Sequence, residues 1–340
     1  MKKLNILLTS VRNHAFMIQY FRDALEKRGK VFAGNSKMTA AMLQADTYTI
    51  TPLIYSDSYS DFLLNYCLEN QITAILTWYD IDLLVLAKNK ERFKEHGITV
   101  VVSDEPILQI YSDKWKTCQF LSSIGLKQPK SYINLDLLKQ DIRMGKITFP
   151  IFIKPRWGVG SYGIYQANTL EELDVLYQKS HRDIFNSIFK YESAAEENTC
   201  VIMQEKVEGV EHGLDVLNDL NGNYVTTIAK HKFAMREGST DMAQIVDNKL
   251  FENTAKLISS NLKHIGNLDI DCFLTTSGEV IIVDTNCRFG GHYTFSHLAG
   301  ADFPKQIVEW LMGNPTSKDN ITVNVGIKGV KELEFPVRIE

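Results

Sequence analysis

The chain has 340 residues, of which 44% are hydrophobic and 23% are charged. This composition is typical of a globular protein, and at roughly 150 residues per domain it predicts two or three domains. The 37 basic and 41 acidic side chains give a net charge of −4. Proteins that bind nucleic acid non-specifically are usually basic, so the charge argues against nucleic acid as a partner.

Five cysteines are scattered along the chain without a CxxC pair. An odd, dispersed set argues against a disulfide framework or a zinc ribbon and favours a reducing compartment. The first apolar run, Leu4 to Leu8, is too short for a signal-peptide core or a membrane span. We therefore expect a cytoplasmic protein that does not enter a membrane.

Strand and helix signals alternate over the first hundred residues. The predicted strands are 5–9, 30–33, 73–77 and 98–102, and the predicted helices are 16–28, 61–71 and 81–96. This alternation predicts a parallel sheet with right-handed crossovers. Ligands of such sheets bind at the carboxyl ends of the strands, which here are 9–10, 34–36 and 78–80.

The pattern changes near residue 103. The later predicted helices are 104–111, 114–124, one beginning at 170, and 248–264, and the later predicted strands are 148–154, 164–167, 200–204, 214–217, 224–229 and one beginning at 269. Residues 181–199 are polar, and we predict an irregular surface insertion there. The predicted domains are 1–103, 104–200 and 201–340.

A glycine-rich segment follows the strand that ends at Lys154. Gly158, Gly160 and Gly163 match GxGxxG, but residues 164–167 read as a strand. A dinucleotide fingerprint needs a helix directly after the glycines, so a NAD-binding oxidoreductase is disfavoured. Two interpretations remain open: a flap that closes over phosphates beside Lys154, or a plain hairpin with a snorkelling lysine.

Acidic residues lie on a second predicted hairpin, whose turn is at Ser277-Gly278. Its spacing places Asp271 opposite Asp284, and Asp269 opposite Asn286, on one face. Opposed β-carbons lie about 4.5–5.5 Å apart. The carboxylates therefore either hold a cation such as Mg²⁺ or belong to a solvated edge hairpin.

Two consequences follow from this hairpin. Without metal, Asp271 and Asp284 are expected to repel each other, so that Asp271→Asn leaves stability unchanged or raises it. Arg288 lies further along the same face, where it is placed to bind an anion beside the metal.

The ordered set of motifs resembles the ATP-grasp superfamily, and most closely the carbamoyl-phosphate-synthase-large-subunit-like proteins and carboxylate–amine ligases. The motifs are Asp113-Lys114, Lys154 with its glycine loop, 204–211 and 284–291. The resemblance implies an α/β protein, α+β in its C-terminal part. A Rossmann-like pre-ATP-grasp domain would precede a two-subdomain ATP-grasp fold.

The resemblance also implies roles for individual residues. The residues expected to bind ATP are Lys114, Lys154, Gly158, Gly160, Ser161, Gly163, Glu205, Lys206, Val207 and Glu211. The expected Mg²⁺ or Mn²⁺ ligands are Asp271, Asp284 and Asn286, and the expected catalytic residues are Arg288, Lys154 and Arg236. Arg236 belongs to a cluster of basic residues within 230–241, which reads equally as a cationic surface loop. Asp284 replaces the usual glutamate, and Cys287 replaces the usual proline.

The activity implied is an ADP-forming ligase. A carboxylate would attack the γ-phosphate of ATP, and an amine would displace phosphate from the acyl phosphate. The partners would be a small-molecule carboxylate and amine, in a chain that is monomeric or homodimeric. The alternatives are carbamoyl-phosphate-type activation of bicarbonate and a non-catalytic ATP-binding regulatory subunit.

Overall fold

Three β-sheets follow one another along the chain, in a computed structural model that describes residues 3–236, 238–332 and 335–338. The first sheet is parallel, with strand order β3-β2-β1-β4-β5. Its strands are β1 (Ile6–Thr9), β2 (Val31–Asn35), β3 (Thr47–Ile50), β4 (Ala74–Thr77) and β5 (Thr99–Val100). Every residue of β1 and β4 is buried, as continuous apolar runs in a covered parallel sheet predict.

Four helices accompany this sheet: α1 (Ala15–Leu25), α2 (Tyr59–Glu69), α3 (Asp80–Lys88) and α4 (Lys90–Glu95). The predicted parallel arrangement is confirmed. The single helix predicted over 81–96 is wrong, because it is interrupted at Asn89. Strand β3 was not predicted, since it is a four-residue edge strand whose side chains are all at least partly exposed.

A buried carboxylate fixes the carboxyl edge of the first sheet. Asp82, in the first turn of α3, accepts hydrogen bonds from Thr9 at 2.6 Å, Ser10 at 2.8 Å, Tyr59 at 2.9 Å and Thr77 at 3.1 Å. Four hydroxyl donors satisfy a carboxylate that has no contact with solvent. The loops that follow β1 and β4 are therefore held against one another.

The second sheet is antiparallel, with order β6-β9-β7-β8. Its strands are β6 (Ser131–Tyr132), β7 (Ile151–Pro155), β8 (Tyr165–Ala167) and β9 (Val201–Glu205). The helices between β5 and β9 in the chain are α5 (Glu105–Tyr111), α6 (Lys114–Ser123), α7 (Leu135–Arg143), α8 (Leu170–Phe185) and α9 (Lys190–Ser193). The irregular insertion predicted over 181–199 is wrong, since α8 and α9 occupy part of it. The predicted boundary at residue 200 separates β9 from its sheet partners, and the domain division stays a prediction.

The third sheet is antiparallel throughout, with order β14-β13-β10-β11-β12-β15-β16. Its strands are β10 (Val210–Asn218), β11 (Tyr224–Arg236), β12 (Ser239–Val246), β13 (Gly266–Leu274), β14 (Val280–Asn286), β15 (Lys328–Glu332) and β16 (Phe335–Arg338), with helices α10 (Lys249–Leu262), α11 (Tyr293–Leu298) and α12 (Phe303–Leu311). Arg28, just after α1, forms an ion pair with Glu309 of α12 at 2.6 Å. Among the described residues, no helix combines the length and apolar character needed to cross a membrane.

One ion pair lies entirely inside the third sheet. Asp215 of β10 and Lys230 of β11 contact each other, and both side chains are fully buried. Ser296 donates to Asp215 at 2.6 Å and accepts from Lys230 at 2.8 Å, and Asn267 donates to the second Asp215 oxygen at 3.1 Å. A buried pair costs desolvation, and these added hydrogen bonds offset part of that cost.

We predict that Asp215→Ala lowers the free energy of unfolding by about 3–5 kcal/mol, because the ammonium of Lys230 stays buried without its partner. Urea unfolding followed by circular dichroism measures the loss. The control is Glu91→Ala, which removes a solvent-exposed pair with Lys94 and should change stability by less than about 1 kcal/mol. Equal losses in the two variants would contradict a special contribution from the buried pair.

Candidate active site

The acidic hairpin of β13 and β14 has the predicted facing pairs. Asp271 lies opposite Asp284, and Asp269 lies opposite Asn286, so the prediction is confirmed. The register nearer the turn differs by one residue, because Leu274 pairs with Val280. A β-bulge between Asp271 and Cys272 restores the register, and bulges of this kind re-aim side chains next to functional sites.

Each of the two opposed carboxylates has a lysine partner from another element. Lys232 of β11 contacts both Asp271 and Glu211, and Lys114 at the start of α6 lies 2.7 Å from Asp284. Burial alone would lower the pKa of Lys232, but Asp271 and Glu211 outweigh it and raise that pKa. The expected unscreened repulsion between Asp271 and Asp284 is therefore wrong, since both carboxylates are already neutralised.

The donor set suits a hard divalent cation. Asp271, Asp284 and Asn286 present oxygen ligands from two paired strands, which is the chemistry Mg²⁺ prefers. Burial raises the pKa of Asp284, but Lys114 and Lys154 outweigh that effect and hold it below its usual value. Asp284 is therefore ionised at neutral pH and available to a cation.

A buried clamp sets the position of Lys114. The carboxylate of Asp113 caps α6 by accepting from the backbone of Trp115 at 3.0 Å. The same carboxylate receives two hydrogen bonds of 2.7 Å from Arg156, which directly follows β7. Bidentate pairs of this kind fix geometry as well as charge. Lys114 therefore lies next to Lys154, the charged residue of β7.

Lys154 sits in an unusual electrostatic environment. Burial, followed by the neighbouring charge of Lys114, lowers the pKa of Lys154 to about 8. Its side chain forms no ion pair with a carboxylate among the residues that the structure describes. A desolvated ammonium beside a second cation is a strong site for an anion.

The glycine segment joins two antiparallel strands, β7 and β8, as the hairpin interpretations predicted. Gly160, Ser161 and Gly163 all have left-handed backbone conformations, with φ of 62°, 58° and 67°. A β-carbon at Gly238 would lie 2.0 Å from the Ser161 hydroxyl oxygen. The tip of this loop therefore contacts the turn between β11 and β12, on the far side of the cavity described below.

Arg288 connects the third sheet with the first. Its guanidinium contacts Asp80 at 3.1 Å and Asp269 at 3.0 Å. Asp80 lies just past the carboxyl end of β4, at one of the sites predicted to collect ligands. The pairing of Asp80 with Arg288 could not be predicted from sequence patterns, because 208 residues separate the two.

His292 and Asp269 form a buried pair beside Arg288. Burial, followed by the charge of Lys230, lowers the pKa of His292 to about 3, so its imidazole is neutral at physiological pH. A β-carbon at Gly213 would lie 2.8 Å from the His292 ring, and one at Gly290 would lie 2.1 Å from an Asp269 oxygen. Glycine at these two positions leaves the space that the pair occupies.

The atoms of Asp215, Asp269 and His292 lie within 4.8 Å of one another, as metal ligands can. The charge of Asp215 is already balanced by Lys230. We therefore read this cluster as part of the buried network that supports the sheet.

All three sheets contribute to one cavity of about 280 Å³. The predicted residues that line it are Lys114, Lys154, Gly158, Gly160, Ser161, Asp271, Asp284, Asn286 and Arg288. Residues to which the sequence motifs assigned no individual role also line it, including Arg12, Trp78, Asp80, Lys232 and Asp269. The first sheet contributes through its carboxyl edge, which is where open α/β sheets bind ligands.

Six predicted residues, all described, lie outside the cavity lining: Gly163, Glu205, Lys206, Val207, Glu211 and Arg236. Glu205 accepts from the backbone of Lys130 at 2.8 Å, and Lys206 pairs with Glu208. Arg236 pairs with Asp241 and is half-exposed. The basic cluster is nevertheless no surface loop, because Lys230 and Lys232 are buried on β11. The nucleotide-binding and catalytic roles of the six residues stay predictions.

Two family models match the chain. One describes a PylC-like N-terminal domain and matches residues 6–101, and the other describes an ATP-grasp domain and matches residues 147–295. Residues 147–295 therefore belong to an ATP-grasp domain. The ATP-grasp match contains the glycine loop, the acidic hairpin and Arg288, which are the elements that meet at the cavity.

Two curated relatives of this chain are each 25% identical to it. Carbamoyl-phosphate synthase of Methanobrevibacter smithii aligns over 74% of this chain and 67% of its own length. D-alanine–D-alanine ligase of Fusobacterium nucleatum aligns over 65% of this chain and 75% of its own length.

Solved structures share the ATP-grasp fold at low sequence identity. The biotin carboxylase domain of Hydrogenobacter thermophilus 2-oxoglutarate carboxylase is 16% identical, with a TM-score of 0.74 over 97% of this chain and 74% of that one. An L-amino acid ligase from Bacillus licheniformis is 14% identical, with a TM-score of 0.74 over 97% of this chain and 81% of that one. These likenesses establish the shared fold.

We predict that Asp271→Asn lowers the metal-free stability, because Lys232 loses its main charged partner. The expected loss is roughly 1–3 kcal/mol, the scale of a hydrogen bond to a charged group. Stabilisation by Mg-ATP should also shrink, since a ligand that binds only the folded state stabilises it less when it binds more weakly. Thermal melts in EDTA and in excess Mg-ATP measure both effects.

The matched control is Glu279→Gln, which removes an exposed carboxylate from the turn of the same hairpin. It should keep the wild-type Mg-ATP shift. A full Mg-ATP shift in Asp271→Asn would show that Asp271 is a structural partner of Lys232 and no metal ligand.

We predict that affinity for ATP falls as the pH rises through the pKa of Lys154, about 8. Below this pH the ammonium is present for the phosphates, and above it a proton must first be taken up, which costs up to about tenfold per pH unit. Lys154→Met should bind weakly at every pH. Lys154→Arg should bind with little pH dependence between 7 and 9.5, and a decline as steep as that of the wild type would assign the titration to another group. Calorimetry measures the affinities.

Proposed function

We propose that this protein is an ATP-dependent, ADP-forming ligase that joins a carboxylate to an amine through an acyl phosphate, with Mg²⁺ at the acidic hairpin. The observation that carries the proposal is that a pair of cationic side chains and a set of oxygen ligands line the same cavity. Lys114 and Lys154 provide the first, and Asp271, Asp284 and Asn286 provide the second. A nucleoside triphosphate with a divalent cation needs both.

The lysines and Arg288 would act by charge. The phosphates would lie along Lys154 and Lys114, which the Asp113–Arg156 clamp holds in place before any ligand arrives. Arg288 would neutralise the phosphoryl group during its transfer, held in orientation by Asp80 and Asp269. Preorganised charges of this kind lower the barrier, because nothing has to reorganise as the reaction proceeds.

A magnesium ion at Asp271, Asp284 and Asn286 would supply Lewis-acid stabilisation of phosphate charge. Binding it would free Lys232 from Asp271. Lys232 also lines the cavity, and its ammonium would then be available to the carboxylate substrate. Glu211 would remain as a partner of Lys232 at 3.1 Å.

The loop of residues 157–163 would exclude water from the acyl phosphate. Three of its residues, Gly160, Ser161 and Gly163, have the left-handed backbone conformation, which residues with a β-carbon adopt with difficulty. Two of these three residues are therefore glycine. Its tip already touches Gly238 across the cavity. Closure of such loops is a common way to protect a hydrolysable intermediate.

The finer parts of this proposal come from the sequence. They are acceptance of Mn²⁺ in place of Mg²⁺, a cytoplasmic location and a homodimeric state.

We predict that the protein releases ADP only when a carboxylate pool is present, and that hydroxylamine, which traps acyl phosphates, yields a coloured hydroxamate. Arg288→Met should lower this activity by about a hundredfold or more, the usual loss when a preorganised charge is removed from a transition state. The matched control is Arg92→Met, whose guanidinium pairs with Asp61 on the surface and should leave the activity intact.

Three outcomes would contradict the proposal. ADP release with bicarbonate alone would favour carbamoyl-phosphate-type chemistry. Tight ATP binding without turnover on any pool would favour a non-catalytic nucleotide-binding subunit. Equal loss in the two arginine variants would remove Arg288 from the reaction.

A further inference from the structure

Arg12 is the cavity residue whose charge the proposed ATP site leaves unused. Five lysine and arginine side chains line the cavity: Arg12, Lys114, Lys154, Lys232 and Arg288. Three of them pair with aspartates of the site, and Lys154 is assigned to the phosphates. In the described part of the chain, Arg12 forms no ion pair with a carboxylate, and its guanidinium lies 5.2 Å from the ring centre of Tyr79.

The backbone holds Arg12 in an unusual conformation. Its φ is 50°, and that of Ser10 is 52°, in the left-handed region that residues with a β-carbon rarely adopt. The backbone N–H of Arg12 donates to Asn35 at 3.3 Å, and the Ser10 hydroxyl donates to buried Asp82. Such conformations persist where surrounding contacts enforce them, and they cluster at binding sites.

An apolar wall stands beside this charge. Phe16, Met17 and Trp78 line the cavity, and all three are buried. His14 completes the wall, with its ring 5.7 Å from Phe16 and 6.1 Å from Trp78. The indole of Trp78 lies 3.1 Å from Nδ1 of His14, and the backbone carbonyl of Val11 lies 3.3 Å from the same nitrogen.

This corner of the cavity is also electrically positive. Burial is the largest cause that lowers the pKa of His14 to about 4, and the charges of Arg12, Arg288 and Lys331 lower it further. His14 is therefore neutral at physiological pH, and Arg12 is a nearby cation that forms no ion pair with a carboxylate in the described part of the chain. An anionic group on an apolar body would match both the charge and the wall.

We propose that the loop after β1 and the end of β4 form the subsite for the amine substrate, and that this substrate is an α-amino acid with an apolar side chain whose carboxylate pairs with Arg12. The inference rests on the proposed ligase function and names one of its substrates. The reacting carboxylate of the other substrate must reach the phosphoryl group at Arg288 and Lys154. With Lys154 and Arg288 assigned to that group, we assign Arg12 to a second, non-reacting carboxylate.

Calorimetry on the full chain with Mg-ADP tests the subsite directly. The probes are L-phenylalanine, 3-phenylpropionate, which lacks the amine, and phenethylamine, which lacks the carboxylate. Wild type should bind the two carboxylates at least about tenfold more tightly than phenethylamine, the scale of one charge-assisted hydrogen bond. Arg12→Met should lower the affinity for L-phenylalanine to that for phenethylamine, and Arg12→Lys should restore part of the difference in affinity.

Arg92→Met again serves as the control, and it should keep the wild-type preference. Equal affinity of wild type for L-phenylalanine and phenethylamine, no effect of Arg12→Met, or no binding of any probe at millimolar concentration would overturn the subsite. A melting temperature of Arg12→Met close to that of the wild type excludes misfolding as the cause of a loss.

The test separates the subsite from the ligase function. Carboxylate-dependent binding through Arg12 without hydroxamate formation would refute the ligase and keep the subsite. Hydroxamate formation by a protein that binds phenethylamine as tightly as L-phenylalanine would refute the subsite alone.

Discussion

The structure depends on how the negative charges of two facing carboxylates on adjacent strands are balanced by lysines. Asp271 and Asp284 lie opposite each other in a largely buried hairpin, where an unbalanced charge is costly. Lys232 comes from the same sheet, whereas Lys114 comes from the first residue of α6. The pair Lys114–Asp284 therefore ties the second segment of the chain to the third. The same charges that stabilise the resting protein are the ones a nucleotide and a cation would use.

A second set of charges brings in the first sheet. Arg288 lies between Asp80, next to the end of β4, and Asp269 of β13. Asp82, two residues after Asp80, accepts hydrogen bonds from the hydroxyls of Thr9 and Thr77, the last residues of β1 and β4, and of Ser10, which follows β1. The carboxyl edge of the parallel sheet is thereby fixed against the acidic hairpin. One wall of the cavity thus belongs to the N-terminal sheet.

Much of this architecture follows from local sequence patterns. Continuous runs of apolar residues made β1 and β4 recognisable as buried strands. The two-residue alternation of strand side chains placed Asp271 and Asp284 on one face. The agreement at the hairpin nevertheless depended on a feature that the pattern does not contain. The turn is shifted by one residue, and the bulge next to Asp271 compensates for it. A bulge depends on packing against neighbouring strands, so the spacing of side chains could not reveal it.

The sequence by itself determined most element types, the parallel first sheet, the glycine hairpin and the family resemblance, because these depend on contacts between residues close in the chain or on ordered motifs. Tertiary structure alone decided which charges meet. The sequence around Lys232 fitted a cationic surface loop equally well. Asp80 belonged to no recognisable motif, and Arg12 was one of several residues that follow the first strand. Their roles depend on partners as far as 208 residues away, and no local periodicity encodes such a distance.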